Sequence, residues 1–255
     1  MNPRIKKQFG QHFLRWPHIT QGMCDRVKLD TTTSVLEIGP GDGFLTKTIL
    51  QHEIARLWAF EIDQEWVEYL KNSIQDTRFT VLHENILDVD FSALEPYKPW
   101  TVLANLPYLI TFPILHLLQK HRSMLKEGVV MMQEEVAQKI MKKSGRGYGY
   151  PSLFFQHYFE LELLDKIPPQ AFEPPPKVFS RLLYFKPKQI LQEIPEEEQF
   201  WKFIRFCFAH PRRTLRNNLK TTHFDLAKIS EETLDLRAQQ MSMQDFLAVW
   251  DVVRH

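Results

Sequence analysis

The sequence predicts an α/β protein: a mostly parallel sheet with helices on both faces and one antiparallel edge pair, followed by a small helical domain. Three observations carry that prediction. Between Ser34 and Phe185, short β-rich runs alternate with amphipathic stretches whose apolar residues recur at helical spacing. The strand candidates are near-continuous apolar runs, as expected for strands buried on both faces. After Lys186-Pro187-Lys188 the strand pattern stops and only helical patterns remain.

Taken in order, the strands are expected at Ser34–Ile38, Leu57–Ile62, Phe79–His83, Trp100–Asn105, Val129–Gln133, Phe159–Ile167 and Arg181–Phe185. Leu45–Gln51 and Glu65–Ser73 are the helical stretches between the early strands. The last two strands are separated only by a proline-rich loop, so they are expected to pair antiparallel at one edge. Glu196–Phe208, Thr214–Lys220, Ser230–Ala238 and Met243–Val253 follow as helices, with Ser242 as N-cap of the last and Phe246, Val249, Trp250 and Val253 on its buried face. The expected domains are therefore residues 1–187 and 188–255.

Composition narrows the class. With 255 residues, 44% hydrophobic and 25% charged, the chain can bury a real core. It has no apolar run of the ~20 residues that a membrane span requires, and its basic amino terminus lacks a signal-peptide core. Cys24 and Cys207 match no metal-ligand spacing, so no metal, no membrane and a reducing cytoplasm are expected. The net charge is only +1, yet the basic residues are segregated. Lys202, Arg205, Arg212, Arg213, Arg216 and Lys220 lie in one acid-free stretch, and Arg4, Lys6, Lys7 and Arg15 in another. Such segments suit a polyanion-binding face, and equally a set of solvated helix faces.

The strand Val35-Leu36-Glu37-Ile38 runs into Gly39-Pro40-Gly41-Asp42-Gly43, and a helical pattern opens at Leu45. Glycine at Gly39 and Gly41 lets the backbone turn tightly and approach a ligand. The spacing is not that of the dinucleotide fingerprint. Glu61 ends the next strand, where a carboxylate can accept from both ribose hydroxyls of a nucleotide cofactor. Ribose recognition alone leaves NAD and S-adenosylmethionine open. A phosphate at the helix N-terminus would meet Asp42, whereas a sulfonium would not be repelled, which favours S-adenosylmethionine. Asp88, after the third strand, is expected to accept from the cofactor's adenine amine.

Trp100–Asn105 delivers Asn105-Leu106-Pro107-Tyr108 to the carboxyl end of its strand, where open parallel sheets build their sites. In an aryl amine such as adenine the nitrogen lone pair is delocalised into the ring. Two acceptors on its hydrogens, the Asn105 side-chain oxygen and a carbonyl near Leu106, favour a more tetrahedral and nucleophilic nitrogen. Pro107 stiffens the turn and Tyr108 offers a stacking face. No strong base is needed, so positioning and electrostatics carry the chemistry. In isolation such a tetrapeptide is also an ordinary strand-ending turn.

These strings together resemble the ribosomal RNA adenine-N6 dimethyltransferase family, most closely the bacterial type acting on small-subunit (16S) RNA. The carrying segments are Gly10-Gln11-His12-Phe13-Leu14, Glu37 to Gly43, Glu61-Ile62-Asp63, Asn105 to Tyr108, Phe172-Glu173-Pro174-Pro175-Pro176-Lys177-Val178, and Arg212-Arg213-Thr214-Leu215-Arg216-Asn217-Asn218-Leu219. They lie in the family's order across nearly the whole chain. The resemblance implies a Rossmann-like class I methyltransferase sheet binding S-adenosylmethionine through His12, Leu14, Gly39, Gly41, Glu61, Ile62, Asp88 and Asn105. It implies transfer of two methyls to each of two adjacent adenosines near the 3′ end of small-subunit RNA, on the RNA or a precursor particle. The unstacked base is expected between Tyr108 and a second aromatic, Phe172. Lys142, Lys143, Arg146, Lys177, Arg212, Arg213 and Arg216 are the expected RNA contacts, the first three on a glycine-rich mobile loop. A cytoplasmic monomer is expected.

Trp16, Phe179, Pro211 and Gln239 depart from the family pattern without removing any expected acceptor or cofactor contact. Three other readings stay open: the antibiotic-resistance branch methylating large-subunit RNA, a noncatalytic RNA-binding assembly or transcription factor, and a small-molecule N-methyltransferase. Intact Asn105, Tyr108 and Glu61 argue against the second, and the basic carboxy-terminal segment against the third.

Overall fold

The structure is a computed structural model describing residues 3, 6 and 11–255; Arg4, Lys7 and Gly10 lie outside the described residues. Contacts divide the chain into two units, one of residues 1–137 and 160–187, the other of residues 138–159 and 188–255. The boundary expected at residue 187 places 138–159 with the sheet, whereas these residues group with 188–255.

In the first unit, β1 (Phe13–Leu14) and α1 (Pro17–Asp25) precede β2 (Ser34–Ile38), α2 (Phe44–Ile49), β3 (Arg56–Glu61), α3 (Gln64–Ser73) and β4 (Phe79–His83). Then come β5 (Trp100–Asn105), α4 (Thr111–Lys120), β6 (Leu125–Gln133) and α5 (Glu134–Met141), the last running into the second unit. The second unit adds α6 (Tyr150–Tyr158), after which β7 (Phe159–Ile167), β8 (Phe172–Glu173) and β9 (Ser180–Pro187) return to the first. The main sheet has the order β4-β3-β2-β5-β6-β9-β7. β2 pairs parallel with β3 and β5, β3 with β4 and β5 with β6, while β9 runs antiparallel to β6. This is the α/β sheet that the alternating pattern predicts.

Central strands are buried along their length, which is why they read as unbroken apolar runs. Trp100 is 1% exposed and donates from Nε1 to the Leu94 carbonyl at 2.9 Å. Truncating such a residue typically costs about 3–5 kcal/mol. β2 and β5 lie side by side at the centre, so their carboxyl ends present the glycine turn and Asn105 next to each other. A second, two-stranded sheet joins β1 to β8 antiparallel, pairing Phe13 with Glu173 and Leu14 with Phe172. It draws the amino-terminal string onto the proline-rich loop.

The second unit holds α6, α7 (Glu197–Cys207), α8 (Leu215–Leu219), α9 (Glu231–Asp235) and α10 (Met243–Val253). Its core is aromatic: Phe200, Phe203 and Phe246 are fully buried, and Trp201 Nε1 donates to the Tyr158 hydroxyl at 2.8 Å. Ser242 caps α10 by accepting from the Asp245 amide, and Phe246, Val249, Trp250 and Val253 are its buried face, as the spacing predicts. Among the described residues no helix is long and apolar enough to cross a membrane.

Candidate active site

The carboxyl ends of β2, β3 and β5 border an open cleft of about 250 Å³. His12, Leu14, Gly39, Gly41, Glu61, Ile62 and Asn105 all line it, as do Leu106, Pro107 and Tyr108. The glycine turn forms its floor. Gly39 and Gly41 have φ of 66° and 55°, left-handed values that L side chains rarely adopt. A Cβ on Gly41 would stand 2.6 Å from Cε1 of Phe13, so glycine there is also what lets β1 pack against the turn.

Glu61 is 5% exposed, and its carboxylate accepts from the Gly41 amide and the Asp63 amide, each at 3.0 Å. One bond to each oxygen fixes the group and leaves each oxygen a further acceptor site for hydroxyls. Burial pushes its carboxyl up from the ordinary range, against the pull of those amides. Glu37, 1% exposed, accepts from the Thr46 hydroxyl at 2.7 Å, and burial pushes its carboxyl up to about 8, with Glu61 and Asp42 adding to the rise.

Asp42 is not the bare negative charge that the sequence suggests. Arg15 donates to its Oδ2 at 2.6 Å, to the Leu14 carbonyl at 3.1 Å and, through Nε, to Glu173 at 3.1 Å. What disfavours a phosphate is the cleft as a whole: besides Asp42, paired with Arg15, and Glu37, which burial keeps protonated, its lining includes Glu61 and Glu84 and, among the described residues, no lysine or arginine. That set suits a cationic nucleoside better than a pyrophosphate.

Asn105 donates from its side-chain amide to the His12 carbonyl at 3.0 Å. Only the NH2 can donate to a carbonyl, so the side-chain oxygen is left for the cleft. The Leu106 amide donates to the Met131 carbonyl at 3.0 Å, which anchors the tetrapeptide to β6. Tyr108 is held through its hydroxyl by Ser180, a fully buried residue at the start of β9, and burial pushes the phenol up from its ordinary value. The His12 ring lies 5.7 Å from the Tyr108 ring, centroid to centroid, and its Nδ1 lies 2.8 Å from the Pro174 carbonyl.

Two expected residues are not brought to the cleft. Asp88 is exposed, absent from the lining, and accepts from the Asn85 side-chain amide at 2.8 Å. Glu84 and Asn85 are the polar residues of this turn that line the cleft. The available signal is an N-cap type residue two positions past the strand end, which spacing alone does not separate from Asp88. Phe172 is 4% exposed in the core beside Leu14, Ile19 and Met23, because the β1–β8 pairing turns it inward. A ring that the structure does set beside Tyr108 is that of His12.

The basic residues sort into two sets. Lys6 is bound to Asp63 and Glu65, and Arg15 to Asp42 and Glu173. Lys202 pairs with Glu198, Arg205 donates to the Tyr150 hydroxyl, and Arg216 is committed to Glu231 and Asp235. Arg216 is thus not the open phosphate contact expected, and it shares no helix with Arg212 and Arg213, which precede the α8 N-cap Thr214. Lys142, Lys143, Arg146, Lys177, Arg212 and Arg213 are exposed, with no ion pair to an acid among the described residues. The loop carrying Lys142, Lys143 and Arg146 is anchored: the Gly145 amide donates to the Gln239 carbonyl at 3.1 Å. Among the described residues, no cluster of His, Cys, Asp and Glu is arranged to hold a metal ion.

Comparison with known proteins locates this arrangement. The profile of a family described as ribosomal RNA adenine dimethylase matches residues 2–254. A ribosomal RNA small subunit methyltransferase A of Cytophaga hutchinsonii is 34% identical over 245 residues, 95% of each chain. One from Streptococcus thermophilus is 35% identical over 269 residues, covering 98% of this chain and 92% of that protein. Among solved structures, a dimethyladenosine transferase from Plasmodium falciparum superposes with TM-score 0.76 at 21% identity, covering 94% of this chain and 98% of that one. The 23S rRNA methyltransferase ErmE gives TM-score 0.73 at 18% identity, covering 95% and 100%. At those identities the two structures establish the shared fold, a class I methyltransferase fold.

Proposed function

The chain belongs to the ribosomal RNA adenine dimethylase family, and from that membership we propose that it methylates the 6-amino groups of two adjacent adenosines near the 3′ end of small-subunit ribosomal RNA, with S-adenosylmethionine as donor. The relatives at 34% and 35% identity, matched over nearly their full length, favour small-subunit over large-subunit RNA. The observation that carries the chemistry is Asn105, whose amide is tied to the His12 carbonyl so that an acceptor oxygen remains at the cleft.

The residues present fit the donor. The turn at Gly39 and Gly41 borders the cleft with backbone at left-handed φ, Glu61 keeps acceptor capacity for ribose hydroxyls, and among the described residues the lining has carboxylates but no lysine or arginine. His12, Leu14, Ile62 and Asn85 complete the contacts. S-adenosylmethionine supplies an electrophilic methyl on a sulfonium. The protein's part is to orient the amine. Asn105 and a backbone carbonyl of the tetrapeptide accept the amine hydrogens, Pro107 keeps the turn rigid, and Tyr108, anchored by Ser180, offers a face to the unstacked base. The product ammonium is acidic enough to lose its proton to water, so no dedicated base is required. Lys142, Lys143, Arg146, Lys177, Arg212 and Arg213 draw in the phosphate backbone. The protein works as a cytoplasmic monomer during small-subunit assembly.

The test is methyl transfer from labelled S-adenosylmethionine to undermethylated small subunits and, separately, to large-subunit RNA, with the product nucleoside identified. Dimethyladenosine on the small subunit alone is the expected result. Label on large-subunit RNA alone assigns the chain to the resistance branch, and cofactor binding without transfer to either makes it a noncatalytic factor.

A further inference from the structure

Beside the tetrapeptide lies an exposed aromatic that the reaction so far leaves without a role. Phe179 is 44% exposed and its neighbour Val178 43%, although both follow the buried Pro176 and precede the fully buried Ser180. The Phe179 carbonyl accepts from the Glu134 amide at 2.9 Å, so its backbone is fixed and the outward position of the ring is not a loose end. Ser180, the next residue, holds the Tyr108 hydroxyl. Lys166 stands over the Phe179 ring with Nζ 4.4 Å from the centroid, and Lys177 is exposed two positions earlier.

We propose that Phe179, with Lys166 on its ring and Lys177 nearby, is a stacking platform for the nucleotide next to the adenosine being methylated. The inference rests on the RNA adenosine reading above. Turning one base out of a strand leaves its neighbour without a stacking partner. A flat hydrophobic ring near the acceptor site replaces that partner, and any base suits it because every base has a π-face. The two lysines supply the positive charge that the flanking phosphates require. Since the substrate has two adjacent adenosines, the occupant is an unpaired purine nucleotide: the second adenosine while the first is modified, or the reverse.

The experiment uses the full chain and an RNA hairpin bearing the two adjacent adenosines, with 2-aminopurine replacing one or the other. Phe179→Ala should weaken hairpin binding roughly 5- to 100-fold at every salt concentration, leave the salt slope and the affinity for S-adenosylhomocysteine unchanged, and lose the quenching of 2-aminopurine. Phe179→Trp should retain both binding and quenching. Lys166→Ala with Lys177→Ala should flatten the salt slope instead. Wild-type binding and quenching by Phe179→Ala overturns the proposal, as does Phe179→Trp being as weak as Phe179→Ala. An effect of Phe179→Ala on methylation of assembled subunits but none on the naked hairpin also overturns it, since the ring would then be meeting a protein. Failure of the wild type to methylate any ribosomal RNA would instead remove the function on which the proposal stands.

Discussion

Gly41→Ala should destabilise the first unit more than Gly39→Ala, and the difference should depend on Phe13. Both glycines sit at left-handed φ, 55° and 66°, so either substitution carries a backbone cost of about 1–2 kcal/mol. At Gly39 the new Cβ finds Pro107 Cγ at 3.8 Å, an ordinary contact, and nothing more is lost. At Gly41 it finds Phe13 Cε1 at 2.6 Å. Phe13 is 7% exposed and packs on Trp66 with ring centroids 5.0 Å apart, so the ring has little room to yield. Overpacking of this kind typically adds about 1–3 kcal/mol. With roughly 2–4 °C per kcal/mol for a unit of this size, Gly41→Ala should melt about 2–12 °C below Gly39→Ala. The assay is thermal melting of both variants without ligand, followed by calorimetry with S-adenosylhomocysteine. Displacing the Gly41 amide also loosens its bond to Glu61, so binding should weaken more at Gly41 than the melting of Gly39→Ala suggests. In a Phe13→Leu background, which removes the clashing ring edge, the gap should close to within about 0.5 kcal/mol. The steric reasoning is refuted if Gly41→Ala melts no lower than Gly39→Ala, or if Phe13→Leu leaves the gap intact.

Asn105→Ala should lower kcat by more than about 100-fold, the scale of losing one preorganised electrostatic group, while cofactor affinity by calorimetry falls far less; full activity refutes the acceptor role. Glu61→Gln should weaken cofactor binding roughly 10- to 100-fold through loss of charge-assisted hydrogen bonds, and unchanged affinity would exclude a ribose contact. Glu37 is held protonated up to about 8 in the folded protein, so folding binds an extra proton above the ordinary range near 4.5. Its contribution to stability is therefore full below pH 4.5 and lost as pH rises toward 8, by at most about 1.4 kcal/mol per pH unit. Urea midpoints of Glu37→Gln should lack that decline; parallel curves for the two proteins would place the proton elsewhere. Arg212→Ala with Arg213→Ala should reduce the salt slope of RNA binding by about 1.5, whereas Arg216→Ala, already paired with Glu231 and Asp235, should not; equal effects would mean that the pairing opens on RNA.

What could be read from sequence follows what each residue's neighbours in the chain determine. Ser34–Ile38, Phe79–His83, Trp100–Asn105 and Phe159–Ile167 match their strands residue for residue, and Met243–Val253 its helix. Apolar periodicity and a capping serine are local signals. The glycine turn, Glu61 and Asn105 were readable because strand ends of a parallel sheet must converge. The β1 and β8 strands, two residues each, carry no periodicity, and only their mutual pairing defines them. That pairing decides that Phe172 faces the core, which no motif states. Helix α6 shows no amphipathic signal, because Tyr150-Pro151-Ser152-Leu153-Phe154-Phe155 is aromatic on more than one face. Arg216 is quenched by acids 15 and 19 positions away, a relation set by how α8 and α9 pack.

The small β1–β8 sheet also sets the order in which this protein can become competent. His12, on the cleft wall, is bonded to Pro174, 162 residues further along the chain. At synthesis rates of roughly 5–20 residues per second, that separation is about 8–32 s of translation. During that interval the glycine turn and its flanking strands can form, but the wall carrying His12, Phe13 and Leu14 has no strand to lie against. A chain stopped before Phe172 thus holds the sheet's parallel half and an unfinished donor cleft. Until Phe172 and Pro174 have emerged, the cleft lacks the strand that Phe13 and Leu14 pair with and the carbonyl that holds the His12 ring.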